Sequence, residues 1–333
     1  MLSHLRYTYY DKQLYFFIFK EAKCIQLMHA CMKVCIFSTC IVDLLYPDVG
    51  KATVELLQRF GCETFFPNKQ ICCGQPTYNS GYDRETIATF KNQLDALLSI
   101  DADYIVGPSG SCVAMLHEYK NVFKDDPEYS KKAQILYDKS FELTQFIYRV
   151  LGILDCGAEL DDTATFHRSC HMTRLLGERT APIVLLEHVK GLELIPLHNI
   201  QLCCGFGGTF SAKEPLLSEA MVDDKANNVL KTKAHILIAC EQTCLMNIGG
   251  RINRRRDGSH ITIMHIAEVL NHNVDTSRIT YIKDTDHVLD GVLDYLRLYV
   301  LLAIANLRMF NRKVLVFFAF RWVTNLETLQ IFL

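Results

Sequence analysis

The most constraining feature of this sequence is a pair of Cys-Cys-Gly triplets, Cys72–Gly74 and Cys203–Gly205. Each triplet has one lone cysteine before it and another after it, and the intervals between these cysteines are nearly the same in both copies. Inert thiols placed by chance would not repeat with matching intervals. The pattern therefore indicates a duplicated unit with two sets of functional thiols: Cys40, Cys72, Cys73 and Cys112, then Cys170, Cys203, Cys204 and Cys244.

The cysteine content alone is compatible with a disulfide scaffold, with metal-binding or catalytic thiols, or with buried inert thiols. The chain has 333 residues and 14 cysteines, whereas disulfide scaffolds are short, secreted and denser in cysteine. The apolar run Leu14–Phe19 is too short for the core of a signal peptide, and no small-residue cleavage site follows it. We therefore expect a cytoplasmic protein in a reducing compartment. The cysteines outside the repeat are expected to be ordinary thiols: Cys24, Cys31, Cys35, Cys62, Cys156 and Cys240.

Charge and composition narrow the class of protein further. The chain carries 35 basic and 37 acidic side chains, and this near-neutral balance argues against a nucleic-acid partner held mainly by phosphate contacts. Half of the residues are hydrophobic, which excludes a disordered or collagen-like chain. At roughly 150 residues per domain, the length suggests two domains.

Predicted strands and helices alternate through the first half of the repeat. Pro47 can open a helix after the first cysteine, and Gly61 can end it. Apolar runs and helical periodicity assign the other elements of this half. They are strands at residues 34–38, 63–66 and 104–107, and helices at 85–98, 112–120 and 131–151.

The second half repeats this order. It is predicted to contain strands at residues 163–167, 192–195 and 235–239, and helices at 179–190 and 215–231. Strands that alternate with helices imply parallel sheets, whose functional sites lie in loops beyond the carboxyl ends of the strands. We therefore predict an α/β protein with two pseudo-repeated Rossmann-like halves. Each half has a parallel sheet and a cysteine cluster in the loops at the carboxyl edge of its strands.

Four converging thiolates select soft or borderline metals over magnesium or calcium. A structural zinc site usually uses Cys-x2-Cys spacing, whereas here the paired cysteines are adjacent. Adjacent cysteines strain a single tetrahedral ion but suit neighbouring irons of a cluster. The residues favour iron–sulfur ligation, and they leave zinc sites and redox-active dithiols as alternatives.

Several stretches around the cysteines carry a resemblance to a known family. In the first half these are Cys40–Pro47, Ile71–Tyr82 and Gly107–Ala114, and in the second half they are His167–His171, Cys203–Ser211, Cys244–Gly250 and Met264–Glu268. Together they make residues 32–270 resemble the LutA/YkgE family of lactate-utilisation proteins, within the wider group of cysteine-rich CCG-domain iron–sulfur oxidoreductases. The motifs stand in the order that the family shows them.

The resemblance implies an iron–sulfur subunit of a system that oxidises L-lactate to pyruvate. It further implies two clusters, both [4Fe-4S], held by the two thiol sets as metal ligands. The implied partners are a ferredoxin-like iron–sulfur subunit and a third subunit of a lactate-oxidation complex. Related subunits serve other substrates, so the alternatives are the equivalent subunit of a glycolate oxidase and a structural zinc- or cluster-binding module.

The sequence departs from the wider group at two positions. That group ends each motif with Cys-x-x-Cys, but here Ser109 and Glu241 replace the first of these cysteines. Each half therefore offers four ligands instead of five. This difference argues against the cluster type of the related heterodisulfide reductases and against disulfide cleavage. His167 and His171 flank Cys170, where they could donate hydrogen bonds to cluster sulfur or serve a structural role.

The resemblance also sets the expected domain boundaries. Residues 32–157 would form the first cysteine-rich domain and residues 158–270 the second. Residues 1–31 would be an N-terminal extension and residues 271–333 a C-terminal extension of unknown role. The apolar runs in these extensions are shorter than the roughly 18 to 20 residues that span a bilayer, so we expect no membrane span.

Overall fold

Two four-stranded parallel sheets form the framework of the protein. The structure is a computed structural model, and it describes residues 32–257 and 259–282. The predicted N-terminal extension, 1–31, and residues 283–333 of the predicted C-terminal extension lie outside the described residues.

The first sheet has the strand order β2-β1-β3-β4. Its register pairs Cys35 of β1 with Phe65 of β2 on one side and with Ile105 of β3 on the other. The central strands are buried on both faces, as expected for a parallel sheet covered by helices. The strands are β1 (Lys33–Ile36), β2 (Glu63–Phe65), β3 (Tyr104–Gly107) and β4 (Ser140–Glu142).

Helices follow each of these strands. The second of them begins with Pro47 and is followed by Gly61, whose φ of 92° reverses the chain toward β2. These helices are α1 (Cys40–Leu45), α2 (Pro47–Arg59), α3 (Gln75–Tyr78), α4 (Asp83–Leu98), α5 (Gly110–Val122), α6 (Tyr129–Lys139) and α7 (Leu143–Gln145). A π-helix at Phe146–Val150 and a short strand, β5 (Ile153–Asp155), complete this half.

The second sheet repeats the topology, with the order β7-β6-β8-β9. Its strands are β6 (Glu159–His167), β7 (Lys190–Leu194), β8 (Ile236–Ala239) and β9 (Thr262–His265). Its helices are α8 (Cys170–Arg174), α9 (Ala181–Glu187), α10 (Phe210–Lys213), α11 (Pro215–Lys231), α12 (Gln242–Asn253) and α13 (Ile266–Leu270). The predicted fold class, two Rossmann-like parallel-sheet halves, is confirmed.

One hydrophobic core joins the two halves. It contains Val34 and Ile36 from β1 together with Ala164 and Phe166 from β6, all of them buried. Close to the thiol sets, the backbone N–H of Gly110 donates to the carbonyl of Cys240 at 3.4 Å. The carboxyl edges of the two sheets are therefore held against each other.

The helix predicted at residues 131–151 is wrong. It ends at Lys139, and residues 140–142 form the edge strand β4, which pairs with β3 in parallel. Glu142 then caps α7 with a reciprocal capping box to Gln145. Such a short strand has too little periodicity to be seen against the helical pattern on both sides of it.

Residues beyond the predicted boundary at 270 contribute to the fold. Strand β10 (Thr280–Tyr281) pairs antiparallel with β5, and Arg278 forms an ion pair with Asp155 at 2.9 Å. The boundaries at residues 31, 157 and 270 stay predictions. Within the described part of the chain, no helix has the length and apolar character needed to cross a membrane.

Candidate metal centres

The first thiol set lies at the carboxyl edge of the first sheet. Cys72 and Cys73 lie in the loop between β2 and α3, as predicted. Cys40 and Cys112 were also predicted in loops, with a helix predicted to begin at residue 112, and they lie in the first turns of α1 and α5. The reason for Cys112 is a helix cap, because the Ser109 hydroxyl accepts a hydrogen bond from its backbone N–H at 3.2 Å and starts the helix there.

The four thiols of this set contact one another in series. Cys40 is hydrogen-bonded to Cys72, Cys72 to Cys73, and Cys73 to Cys112. These bonds raise the pKa of Cys40 and Cys73 and lower that of Cys72 to about 3. The structure therefore joins the four predicted residues of the first half in one continuous series of thiol contacts.

The second set repeats this arrangement in the second sheet. Cys170 begins α8 and Cys244 lies in the first turn of α12, so the loop prediction is wrong for them too, while Cys203 and Cys204 lie in a loop. Hydrogen bonds join Cys170 to Cys203, Cys203 to Cys204, and Cys204 to Cys244. They lower the pKa of Cys203 to about 2 and raise that of Cys170 and Cys204.

Each Cys-Cys-Gly triplet is held by equivalent backbone contacts. The N–H groups of Gly74 and Gly205 each donate to the first thiol of their own triplet at 3.4 Å. The carbonyl of Cys73 accepts from the Tyr119 hydroxyl at 2.9 Å, and the carbonyl of Cys204 accepts from the Asn247 amide at 2.8 Å. Both glycines have a positive φ, in the left-handed region that glycine favours.

Both thiol sets line one cavity of about 380 Å³. Seven of the eight repeated cysteines are in its lining, Cys203 being the exception, and the lining residues come from both halves. Glu241 is the one Asp, Glu, Lys or Arg side chain among the described residues that line this cavity. His171 is also in the lining, whereas His167 is fully buried outside it.

The two positions that replace cysteines of the wider group contact each other across the halves. The Ser109 hydroxyl donates to the Glu241 carboxylate at 2.8 Å, and the backbone N–H of Ser111 donates to the same oxygen at 2.9 Å. The Thr243 hydroxyl donates to the other oxygen at 3.0 Å. Ser109 and Glu241 are 2% and 3% exposed, so this is a buried, satisfied polar contact between the sites.

We expect Ser109→Ala to lower the free energy of unfolding by about 1–3 kcal/mol, because it removes both a helix cap and a donor to a buried carboxylate. Urea denaturation measures this loss. Ser111→Ala is the matched control, since the Ser111 hydroxyl has one long contact, to Ser109 at 3.4 Å, and its N–H bond to Glu241 is kept. Equal losses in the two variants would contradict the bridging role of Ser109.

Buried polar side chains accompany the second set, and His167 is one of them. It is fully buried, and neither ring nitrogen has a hydrogen-bond partner among the described residues. A ring nitrogen of His167 and the Sγ atoms of Cys204 and Cys244 all lie within 4.8 Å of one another. Burial lowers the pKa of His167 to about 3, with a smaller contribution from the charge of Lys225.

Lys225 is the functional candidate that the sequence analysis missed. It is fully buried on α11, where its Nζ donates to the carbonyls of Ile200 and Asn199 at 3.2 and 3.4 Å. Burial lowers its pKa to about 8, and the negative charges of Cys204, Cys244 and Cys203 oppose that shift. In the sequence, the signal for this residue was a lysine on the same helical face as Val222 and Val229, which are buried.

The donor sets fit a metal ion or an iron–sulfur cluster. Each set offers four thiols linked in series, and thiolates are ligands that soft and borderline metals prefer. At the second set, the buried His167 nitrogens without partners are polar groups that a bound cofactor would satisfy. The cysteine clusters therefore support metal or iron–sulfur binding by this chain.

The fold and the paired thiol sets define a CCG-domain protein with two copies of the domain. A family model described as a cysteine-rich domain (CCG) matches residues 34–117 and 164–249, which contain the two thiol sets. The chain belongs to this cysteine-rich family and, within it, to the lactate utilization protein A family.

That assignment rests on close relatives. The chain is similar to lactate utilization protein A of Geobacillus thermodenitrificans (strain NG80-2), with 57% identity over 241 residues. It is 56% identical to the protein of the same name from Geobacillus kaustophilus (strain HTA426) over 240 residues. Each match covers 72% of this chain and 99% of the relative.

A solved structure shares the fold at low sequence identity. The chain is similar to a hypothetical protein from Helicobacter pylori, with a TM-score of 0.51 and 11% identity. The match covers 72% of this chain and 48% of that one. At this identity the likeness concerns the fold alone.

Proposed function

We propose that this chain is an iron–sulfur redox subunit of a system that oxidises L-lactate to pyruvate and so allows lactate to serve as a carbon source. The observation that carries the proposal is that thiols of both four-cysteine sets line one cavity. The name of the similar proteins, lactate utilization protein A, supplies the substrate.

In this proposal each thiol set holds one [4Fe-4S] cluster. The first set of ligands is Cys40, Cys72, Cys73 and Cys112, and the second is Cys170, Cys203, Cys204 and Cys244. A cluster of this type accepts and releases one electron at a time. Oxidation of lactate to pyruvate releases two electrons, so two such sites match the demand of one turnover.

The residues around the cavity support a relay more than a lactate-binding site. The charged side chain of the described lining is the Glu241 carboxylate, and a lactate carboxylate brought beside it would be repelled. Ser109 and Thr243 orient that carboxylate between the two thiol sets. We therefore assign hydroxy-acid oxidation to a partner, either a ferredoxin-like iron–sulfur subunit or a third subunit, in a cytoplasmic complex.

The first test is the metal content of the anaerobically purified protein. Two [4Fe-4S] clusters predict a brown protein with about eight irons per chain and broad absorbance at ~400 nm. Elemental analysis and absorbance spectroscopy measure both. A colourless protein with two zinc ions per chain would overturn the proposal and favour a structural zinc module.

The second test concerns the substrate. With the partner subunits present, we expect dye reduction that depends on L-lactate and on this chain. Glycolate is the rival substrate, because equivalent iron–sulfur subunits serve glycolate oxidation in the wider group. Faster reduction with glycolate than with lactate would keep the redox role and reassign the substrate.

A further inference from the structure

The two thiol sets have the same backbone framework but different surroundings. Their strands, helices and triplets follow in the same order at a nearly constant separation along the chain, so each position near one set has a counterpart near the other. At two pairs of equivalent positions the side chains differ in polarity, and both pairs lie close to the second cysteine of their triplets.

The first difference is at the end of the central strand. His167 ends β6 and pairs with Ala239 of β8, and its counterpart Phe37 follows β1 and is hydrogen-bonded to Val106 of β3. Phe37 is fully buried and packs in the core cluster that contains Cys73. The second set therefore has a buried imidazole with nitrogens that lack partners among the described residues, where the first has an apolar ring.

The second difference is on the long helix that follows each triplet. Lys225 of α11 corresponds to Leu94 of α4, and both are fully buried. Leu94 packs in the same core cluster as Cys73, whereas the charge of Lys225 interacts with the thiols of Cys203, Cys204 and Cys244. No carboxylate forms an ion pair with Lys225 within the described ranges. Its Nζ donates instead to the carbonyls of Asn199 and Ile200, in the loop that leads to Cys203, so its positive charge lies beside the second thiol set.

A buried cation and a buried hydrogen-bond donor both stabilise added negative charge, and this stabilisation raises the reduction potential of a nearby cluster. Arg174, which is exposed, also places positive charge near Cys170. The pKa shifts of Cys40, Cys72 and Cys73 arise from neighbouring thiols, burial and backbone, without a contribution from any Lys or Arg among the described residues.

On the basis of the proposed function, we infer that Lys225 and His167 give the second site a higher reduction potential than the first, so that electrons pass from the first-half site to the second-half site. The step is the transfer of one electron. The first site is oxidised by one electron, the second is reduced by the same electron, and no bond or proton is exchanged. Lys225 and His167 are positioning residues that favour the reduced state of the second site.

The test is a redox titration of the complete, anaerobically purified chain, followed by electron paramagnetic resonance. Wild-type protein should show two one-electron steps. In Lys225→Met we expect the ratio of reduced to oxidised protein at the higher-potential step to fall about tenfold or more at a fixed potential. For one electron, this is a fall in the reduction potential of about 59 mV or more. The lower-potential step should not move. Lys231→Met is the matched control, because Lys231 is an exposed lysine at the end of the same helix and its charge is screened by solvent.

A second variant keeps the inference testable if Lys225→Met does not fold. His167→Phe introduces the residue that the first half already holds at the corresponding position. It should lower the same higher-potential step and remove a nitrogen hyperfine coupling from the pulsed spectrum of that site. If both variants have full iron content and neither shifts the higher-potential step, the inference is overturned and the proposed function stands. The same conclusion follows if the lower-potential step shifts instead. A wild-type chain without iron overturns both.

Discussion

Replacing Cys73 with serine is expected to remove about half of the bound iron, and replacing Cys204 with serine should remove the other half. The Cys73 thiol is hydrogen-bonded to thiols of the first set, and the Cys204 thiol to thiols of the second. A hydroxyl is a poor ligand for a soft metal site, so each variant should lose one cluster and keep the other. Iron per chain, measured after anaerobic purification, gives the result directly.

Cys62→Ser is the control for this pair. Cys62 is a buried thiol of the shared core that belongs to neither thiol set, and burial raises its pKa to about 12. This variant should retain all of the iron, although removing a core thiol will lower stability. Full iron in Cys73→Ser or Cys204→Ser would refute the ligand assignment. Loss of all the iron from a folded Cys73→Ser variant would mean that the two sets serve a single centre.

The repeat of the cysteines predicted two copies of one unit, and the alternation of strands and helices predicted the α/β fold class. Within each unit, strands followed by a cysteine loop indicated the parallel sheet and the edge at which the thiols gather. The edge strands β4 and β9 were not predicted. Both are short, and pairing with a neighbour far along the chain leaves no local pattern.

The site was predictable in its ligand types and not in its contacts. Ser109 and Glu241 were recognised separately as replacements for cysteine, but their hydrogen bond joins residues from different halves of the chain. Only the packing of one half on the other creates that contact. Lys225 was missed for a related reason, because its burial depends on how α11 packs over the loop that contains Cys203 and Cys204.

Gly205→Ala should be strongly damaging to the second site. Gly205 has a φ of 80°, and a Cβ at this position would lie 2.8 Å from the carbonyl oxygen of Ser218 and 3.1 Å from Cβ of Met221. The left-handed conformation and the collision with backbone together should cost about 2–5 kcal/mol. The loop must move to relieve the collision, so Cys204 should be displaced and the second site should lose its iron. Urea denaturation and iron analysis measure the two effects.

Gly81→Ala separates the cost of the backbone conformation from the cost of the collision. Gly81 has a φ of 76°, but a Cβ there would meet nothing within 4 Å. This control should lose only the conformational part, about 1–2 kcal/mol, and keep all of its iron. Equal stability and equal iron content in Gly205→Ala and Gly81→Ala would contradict this prediction. Close packing of the second triplet against α11 would then not be the reason that Cys204 keeps its position. Because the carbonyl that blocks Gly205 belongs to the helix that carries Lys225, the same packing positions both the Cys204 loop and the charge of Lys225.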